Sequence, residues 1–447
     1  MPTVHRHVIM KPISVLLPAE RNARTHSRQQ IEQIAKSLKS FGFVNPVLID
    51  SNQRIVAGHG RVEAAKKLGM NDVPTLSVAH LNKAQLRAYA LADNRLAELA
   101  GWDNELLAVE LGELAGLELD FDLSVTGFAH AEIDLMLQPA SEAPDDADAI
   151  PLAPTQAATV TTAGDIWHLG DHLVMCADAR DRSAARTLMG NERARVVFTD
   201  PPYNVPIDGH VSGLGRNRHT AFAMASGEMT SVEFTNFLET ILANAVAVSA
   251  PGALHYVCMD WRHMSELLTA GERVYAELKN LCVWNKTNGG MGSLYRSKHE
   301  LVFVFKHGTA PHVNNVELGR FGRYRSNVWE YAGANTWRRG RKADLEDHPT
   351  VKPVLMVADA IQDASNRGDI VLDAFGGAGT TLMAAEQTGR CARLIEISPQ
   401  YVDVTITRWQ AATGSHAVHV ASGERFVDRT AKSGDLAKGS TKRSASQ

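Results

Sequence analysis

The stretch Val196-Val197-Phe198-Thr199-Asp200-Pro201-Pro202-Tyr203-Asn204 decides how the second half of the chain folds. Its apolar start is typical of a buried strand, and the acid and two prolines that follow end that strand abruptly. Each proline fixes a φ angle and lacks an N–H, so the carbonyl groups of Asp200 and Pro201 are left without strand partners. The sequence therefore predicts a strand that ends in a stiff loop of hydrogen-bond acceptors beside the Tyr203 ring.

The composition of this loop suits chemistry on an aromatic amine. Such an amine is a poor nucleophile because its lone pair is delocalised, and acceptors placed on its hydrogens localise that lone pair for attack. Tyr203 is placed to stack on a base that has left the duplex. A strand end with an Asx-Pro turn would use the same four residues, so the functional interpretation needs a second signal.

The second signal is a glycine loop in residues 369–381, Asp-Ile-Val-Leu-Asp-Ala-Phe-Gly-Gly-Ala-Gly-Thr-Thr. A short apolar strand leads into glycines that let backbone approach a ligand, and the helix that follows offers N–H groups to an anionic or polar group. Leu382 stands where the dinucleotide fingerprint has its third glycine, which counts against a nicotinamide site without excluding it. Glu396 ends the next predicted strand and is placed to bind a ribose diol.

Together these stretches resemble the amino-directed DNA methyltransferases, which modify adenine N6 or cytosine N4. The order of the two loops resembles the circularly permuted β class, and the resemblance covers about residues 163 to 412. It implies S-adenosylmethionine as the cofactor and calls for no metal and no covalent intermediate. It assigns catalysis to Asp200, Pro201, Pro202 and Tyr203, and cofactor binding to Asp178, Thr350, Lys352, Asp373, Phe375, Gly377, Gly379, Thr380 and Glu396. Asp178 fits a turn or a helix cap as well as a cofactor contact.

Composition limits the classes of protein to which the chain can belong. Its 447 residues predict two or three domains, and its net charge of −4 means that any DNA-binding face must be local. The four cysteines are scattered without a CxxC pair, which favours neither a disulfide framework nor a zinc site and suits a reducing cytosol. No apolar run approaches the roughly 20 residues that span a bilayer, and the first residues do not resemble a secretory signal.

Residues 1–137 form the first predicted domain and resemble the ParB/sulfiredoxin N-terminal domain. Ser27 with Gln30 is a capping-box pattern, and two short apolar strands flank residues 50–53 as a hairpin. The tetrapeptide at 58–61, Gly-His-Gly-Arg, stands where ParB-type proteins carry a Gly-Glu-Arg-Arg nucleotide loop. Because the acid and the first arginine are absent, nucleotide or phosphate binding through Gly58 and Arg61 is one expectation and an auxiliary DNA-docking role is the other.

The rest of the chain divides into three predicted segments. Residues 138–162 form a flexible acidic and proline-rich linker, so the folded parts on either side should move independently. Residues 163–415 form the methyltransferase domain, a permuted Rossmann-like α/β sheet whose ligands bind beyond the carboxyl ends of its strands. Residues 416–447 form a disordered tail.

DNA contact is expected from insertions at about residues 205–227 and 286–347. Residues 320–342 carry seven Arg or Lys against one acid, with Tyr324, Trp329, Tyr331 and Trp337 interleaved. Basic residues bind phosphates, and aromatic rings stack on bases or wedge between them. The predicted DNA-binding residues are Arg320, Arg323, Arg325, Arg338, Arg339, Arg341 and Lys342.

The sequence thus predicts a site-specific DNA methyltransferase that acts on adenine N6 in double-stranded DNA. We expect it to be cytoplasmic, bacterial or phage-encoded, nucleoid-associated and related to restriction–modification, with no membrane partner. Three alternatives stay open: N4-cytosine transfer by the same apparatus, a methyltransferase that acts on protein glutamine or RNA, and a ParB-like DNA-binding or partition factor with an inactive second half. The second of these is disfavoured because in those families the glycine loop usually precedes the Pro-Pro-Tyr loop. Homodimer formation is also left open.

Overall fold

The structure is a computed structural model. It describes residues 7–117, 119–138, 148, 150–151, 159–205, 227–287, 289, 294–319, 323–332 and 352–430. The chain forms two compact units, Met1–Gln138 and Pro139–Gln447. Within the described residues, no helix has the length and apolar character needed to cross a membrane.

The first unit combines a four-stranded sheet with helices that alternate with and follow its strands along the chain. The strands, in the sheet order β1-β4-β2-β3, pack a core that includes Val47, Ile55 and Val73. Leu111, Leu123 and Ile133 form a separate helical core later in the unit. The strands are β1 (Val8–Pro12), β2 (Val47–Ile49), β3 (Ile55–Ala57) and β4 (Asp72–Ser77), and the helices are α1 (Arg28–Phe41), α2 (His59–Lys67), α3 (Lys83–Glu98), α4 (Asn104–Ala115) and α5 (His130–Met136).

Local sequence signals account for most of these elements. Ser27 accepts a hydrogen bond from Gln30 N at the start of α1, and β2 and β3 pair antiparallel, so the predicted cap and hairpin are both confirmed. The segment at 58–61 is not a free loop, because Gly58 caps α2 at φ 102° and the helix begins at His59. The predicted nucleotide loop is therefore the first turn of a helix.

The second unit is a ten-stranded sheet in the order β11-β9-β10-β8-β7-β12-β13-β6-β5-β14. Its strands are β5 (Ile166–Leu169), β6 (His172–Cys176), β7 (Ala194–Thr199), β8 (Ser249–Met259), β9 (Glu277–Lys286), β10 (His299–Lys306), β11 (Val328–Tyr331), β12 (Ile370–Asp373), β13 (Cys391–Glu396) and β14 (Val418–His419). Its helices are α6 (Arg182–Met189), α7 (Ser231–Ala247), α8 (Met264–Val274), α9 (Val354–Ala364), α10 (Thr380–Thr388) and α11 (Pro399–Thr413).

The pairing pattern confirms the predicted α/β sheet. The central strands β8, β7, β12, β13 and β6 are parallel, so their carboxyl ends meet at one edge. Strands β9 and β10 pair as an antiparallel hairpin. Val196, Val371 and Leu394 are buried at the centre of this sheet, which explains why these strands are almost continuously apolar.

Two expectations about the predicted linker and tail are corrected for the residues that the structure describes. In the predicted flexible linker, Ile150 is buried against Ala378 and Val404, and the N–H groups of Val160 and Thr161 donate to the Asp403 carboxylate. In the predicted tail, residues 416–430 are ordered: β14 pairs with β5, and Phe426 is buried against the sheet core. Sequence polarity misled both interpretations because short segments can dock through one apolar side chain and backbone hydrogen bonds.

Candidate active site

Four acidic residues lie at the carboxyl edge of the parallel strands. Asp373 and Glu396 are the last residues of β12 and β13, Asp200 directly follows β7, and Asp178 comes two residues after β6. These strands are neighbours in the sheet, so the proline loop and the glycine loop lie side by side. Open α/β sheets bind ligands at this edge, so the candidate site is where the strand pattern placed it.

Asp200 lies at the centre of a partly buried cluster of charges. Its Oδ1 accepts a hydrogen bond from the Tyr203 hydroxyl at 2.5 Å, and its Oδ2 pairs with Lys352 Nζ at 2.5 Å. Lys352 Nζ also lies 3.1 Å from Glu300 Oε2, and Glu300 forms a further short ion pair with Lys286. We call Asp200, Tyr203, Lys286, Glu300 and Lys352 the acid–lysine cluster.

The pKa values of the two carboxylates in this cluster shift in opposite directions. Burial raises the pKa of Asp200, and Lys352 only partly offsets that effect. Burial acts in the same direction on Glu300, but Lys352 and Lys286 together lower the pKa of that carboxyl to about 2. Burial and the neighbouring carboxylates raise the pKa of the Tyr203 hydroxyl well above its usual range, so this hydroxyl remains a hydrogen-bond donor.

The two loops are tied together by the Asp373 carboxylate. Its Oδ1 accepts hydrogen bonds from the Thr199 hydroxyl and from Phe375 N, both at 3.0 Å, and its Oδ2 accepts from the Thr381 hydroxyl at 2.6 Å. Thr199 is the last residue of the catalytic strand, and Thr381 lies in the first turn of α10. Asp373 therefore fixes the proline loop relative to the glycine loop.

The glycine loop is shaped to hold a ligand against its backbone. Gly377 has a φ of 51°, and a Cβ added there would meet nothing closer than the Phe375 carbonyl oxygen at 4.0 Å, so the space over this residue is open. Glu396 accepts from Gly377 N and Ser398 N, each at 2.8 Å, which leaves a second lone pair on each oxygen. These residues fit the cofactor that the sequence implies.

The other predicted cofactor residues occupy more ordinary positions. Asp178 pairs with Arg180 through two carboxylate oxygens and caps its own turn, so its local role is the structural one. Thr380 begins α10, and Phe375 is half-buried with its ring centroid 6.3 Å from that of Phe237. Lys352 pairs with the Asp200 carboxylate, and Thr350 lies outside the described residues.

Comparisons with known proteins agree with this architecture. Family models for a DNA methylase, a ParB-methyltransferase HTH domain and a ParB N-terminal domain match residues 194–407, 105–162 and 3–95. The chain is 46% identical to the ParB-like nuclease domain-containing protein YnaK of Escherichia coli K12 over 78 residues, 17% of this chain and 90% of that protein. It is 25% identical to the type II methyltransferase M.HpaI of Haemophilus parainfluenzae over 227 residues, 48% of this chain and 67% of that one. The solved M1.HpyAVI–SAM complex is similar with a TM-score of 0.37 at 18% identity, covering 53% of this chain and 98% of that one.

Residues 194–407 are a domain of the N6/N4 DNA methylase family. S-adenosylmethionine is the cofactor of that family, as the sequence implied. This methylase carries a ParB-type N-terminal domain, which confirms the second resemblance. The helix-turn-helix match at 105–162 was not predicted, and it covers the stretch that composition alone had divided between a domain and a linker.

Two predicted DNA contacts of the methylase have a different role. Arg323 is 6% exposed, and its guanidinium donates to Asp363 at 2.8 Å, to Gln362 at 2.9 Å and to Asp359 at 3.3 Å. Arg325 pairs with the same two aspartates of α9. The assignment of Arg323 and Arg325 to DNA binding is therefore corrected to a buried ion-pair network. The remaining predicted DNA contacts, Arg320, Arg338, Arg339, Arg341 and Lys342, lie outside the described residues.

Replacing Arg323 with methionine should destabilise this network strongly. The change leaves Asp363 buried beside Arg325 alone, and breaking one partner of a buried ion pair costs about 3–5 kcal/mol. Chemical denaturation would measure the loss, with the exposed Arg182→Met as the matched control. A stable Arg323→Met variant with weaker DNA binding and a shallower salt dependence would restore the original assignment.

Asp373 should make the stability of the methylase depend on pH. Burial raises its pKa from the ordinary 3.8 to about 6, although hydrogen bonds from Thr381, Phe375 N and Thr199 oppose the rise. Because the folded-state pKa is the higher one, this group favours folding below about pH 4 and loses that contribution as the pH rises through about 6.

The variant Asp373→Asn should therefore gain stability relative to wild type between pH 4 and 7, by at most about 3 kcal/mol. Urea denaturation of both proteins at each pH measures this difference, with the exposed Asp428→Asn as a control for surface charge. Parallel pH curves for wild type and Asp373→Asn would contradict the interpretation.

Sequence reasoning missed the partners of Asp200. His299 and Glu300 lie within the predicted DNA-contact insertion at about residues 286–347, yet both residues begin β10, and Glu300 pairs in register with Trp284. Lys286 ends β9 and lies over the Trp284 ring at 4.7 Å. The available signal was an acid directly before the apolar run of residues 301–305, a position that starts a strand rather than extending a loop.

Proposed function

We propose that this chain transfers a methyl group from S-adenosylmethionine to adenine N6 in double-stranded DNA. The observation that carries the proposal is the hydrogen bond between Thr199 and Asp373, which joins the acceptor loop and the glycine loop at one sheet edge. Supporting the choice of adenine, the loop begins with an aspartate, which in family terms leans toward N6 transfer. N4-cytosine transfer uses the same apparatus and is the alternative.

The proposed roles follow from the acceptors at this edge. Asp200 and the Pro201 carbonyl accept hydrogen bonds from the amine, which localises the nitrogen lone pair toward the crevice. Tyr203 orients the Asp200 carboxylate through its hydroxyl and presents its ring to the base. S-adenosylmethionine, when bound, supplies an electrophilic methyl group on a good leaving group. Asp373, Gly377, Gly379 and Glu396 are proposed to hold it, so catalysis is mainly alignment.

The base and its site can be identified in one experiment. The full chain is incubated with tritiated S-adenosylmethionine and plasmid DNA, and the DNA is then digested to nucleosides and sequenced for modified bases. N6-methyladenine at a recurring sequence is the expected product. If the product were N4-methylcytosine, the proposal of N6-adenine transfer would give way to N4-cytosine transfer. DNA without label would reject the methyltransferase proposal.

We propose that the N-terminal domain and its helix-turn-helix region help dock the enzyme on DNA. Residues 3–95 and 105–162 match ParB-type models. We also propose that Gly58 and Arg61 bind a nucleotide or phosphate. In its support, the buried Arg61 Nε has no hydrogen-bond partner among the described residues. Equilibrium binding of radiolabelled CTP to the full chain tests nucleotide binding at Gly58 and Arg61. An absence of binding at millimolar nucleotide would reject that role.

A further inference from the structure

Both oxygens of the Asp200 carboxylate are already engaged. Tyr203 donates to Oδ1, and the Lys352 ammonium pairs with Oδ2 at 2.5 Å. An amine that donates to Asp200 competes with that ammonium, because a directly paired cation draws off the negative charge that should face the amine. Lys352 is buried, so leaving Asp200 without another anion would be costly.

Glu300 is that other anion, and its carboxylate already lies within ion-pair distance of Lys352. Its Oε2 lies 3.1 Å from Lys352 Nζ, and its Oε1 is held by Lys286. Glu300 pairs with Trp284 of β9 at the start of β10, whereas Asp200 lies on a loop. Backbone pairing and the ion pair with Lys286 therefore hold the Glu300 charge in place.

Resting on the function proposed above, we propose that Glu300 is a positioning residue that takes up the Lys352 ammonium so that the Asp200 carboxylate can face the substrate amine. Lys352 then serves the catalytic carboxylate, in contrast to the cofactor-binding role that the sequence resemblance implied. The two lysines keep Glu300 ionised, with a pKa of about 2 after burial is opposed, so its charge persists across the working pH range.

The pH dependence of turnover reports on this arrangement. Asp200 must be ionised to accept the amine hydrogen, so kcat falls at acid pH with the titration of Asp200. The groups that act on this carboxylate are the Lys352 ammonium, which lowers its pKa, and Glu300, which raises it, together with the Tyr203 hydroxyl, the Cys258 thiol of β8 and Asp373 of β12. Removing Glu300 or Lys352 should therefore move the acid limb in opposite directions.

The experiment compares Glu300→Gln and Lys352→Met with wild type in kcat against pH and in calorimetric affinity for S-adenosylmethionine. For Glu300→Gln we expect kcat to fall about 10- to 100-fold, because Lys352 stays on Asp200, and the acid limb to move to lower pH. For Lys352→Met we expect the acid limb to move to higher pH, because the cation that lowers the pKa of Asp200 is gone. The affinity for the cofactor should stay within about threefold in both variants.

Controls separate positioning from folding. Glu277→Gln removes an exposed acid from the start of β9 that pairs with Lys279, and it should leave kcat and the pH profile unchanged. Lys352→Met leaves the partly buried carboxylates of Asp200 and Glu300 without one of their cations. Lys352→Arg is therefore a second variant, which keeps the positive charge and should retain the wild-type acid limb.

The outcomes distinguish this inference from the proposed function. A wild-type chain that neither binds the cofactor nor methylates DNA overturns the proposed function and this inference with it. An active wild type whose Glu300→Gln variant matches it, or loses activity with an unmoved acid limb, overturns the positioning role alone. A tenfold or greater loss of cofactor affinity in Lys352→Met, with kcat unchanged at saturation, restores the cofactor-binding role.

Discussion

Replacing Asp200 with alanine is expected to lower kcat for methyl transfer by about a thousandfold. The variant loses the charged acceptor for the amine, and Lys352 and Tyr203 lose the partner that they hold at 2.5 Å. The affinity for S-adenosylmethionine should change by no more than about threefold, because the glycine loop is held by Glu396 and Asp373 rather than by Asp200. Single-turnover transfer of tritiated methyl groups and calorimetry measure the two quantities.

Two further variants make this experiment specific. Asp200→Asn keeps the shape of the side chain and loses its charge, so it should fall between wild type and Asp200→Ala. Asp428→Ala removes an exposed acid in a helical turn and should leave turnover unchanged. Full turnover by Asp200→Ala would remove the catalytic assignment, and with it the reason to place the amine at this loop.

Replacing Gly379 with alanine is expected to weaken S-adenosylmethionine binding by at least about tenfold and to lower the free energy of unfolding by about 2–4 kcal/mol. Gly379 caps α10 at φ 80°, and a Cβ there would lie 2.7 Å from Thr405 Cγ2. Thr405 also donates to the Gly377 carbonyl, so relief of the clash must move α10 or α11 and change the loop between them. Titration calorimetry and urea denaturation measure both effects.

Gly414→Ala is the matched control for this variant. Gly414 follows α11 at φ 71°, and a Cβ there would meet nothing within 4 Å, so it carries the left-handed strain without the clash. We expect a loss of only about 1 kcal/mol and unchanged cofactor affinity. If the two variants lost the same stability and neither lost affinity, the packing of Gly379 on Thr405 would have no part in forming the site.

Local pattern predicted the elements that position the site. The apolar run before Asp200 forms β7, the run before the glycines forms β12, and Glu396 ends β13, because buried parallel strands leave a continuous apolar signal and end at one edge. Polar composition was a poorer guide. Ile150 and Phe426, which lie in segments predicted to be flexible or disordered, are both buried against the sheet domain.

Charge without its surroundings misled the interpretation of individual basic residues. Arg323 and Arg325 lie in a stretch whose composition suits DNA, yet they pair with Asp359 and Asp363 from a helix more than thirty positions later in the chain. Lys352 was predicted to bind the cofactor, yet it contacts Asp200 from about 150 residues earlier. Sequence shows that a residue is basic, but its nearest acid depends on which strands and helices become neighbours.

The amino-acid sequence by itself predicted the two family resemblances, the proline loop and the glycine loop, because each depends on residues that are close together along the chain. Only the tertiary structure decided that Glu300 and Lys286 share a cluster with Asp200, and that Asp373 ties Thr199 to Thr381. The reason is physical: backbone propensity acts over a few residues, whereas a buried charge must find a partner wherever the fold brings one within hydrogen-bonding distance.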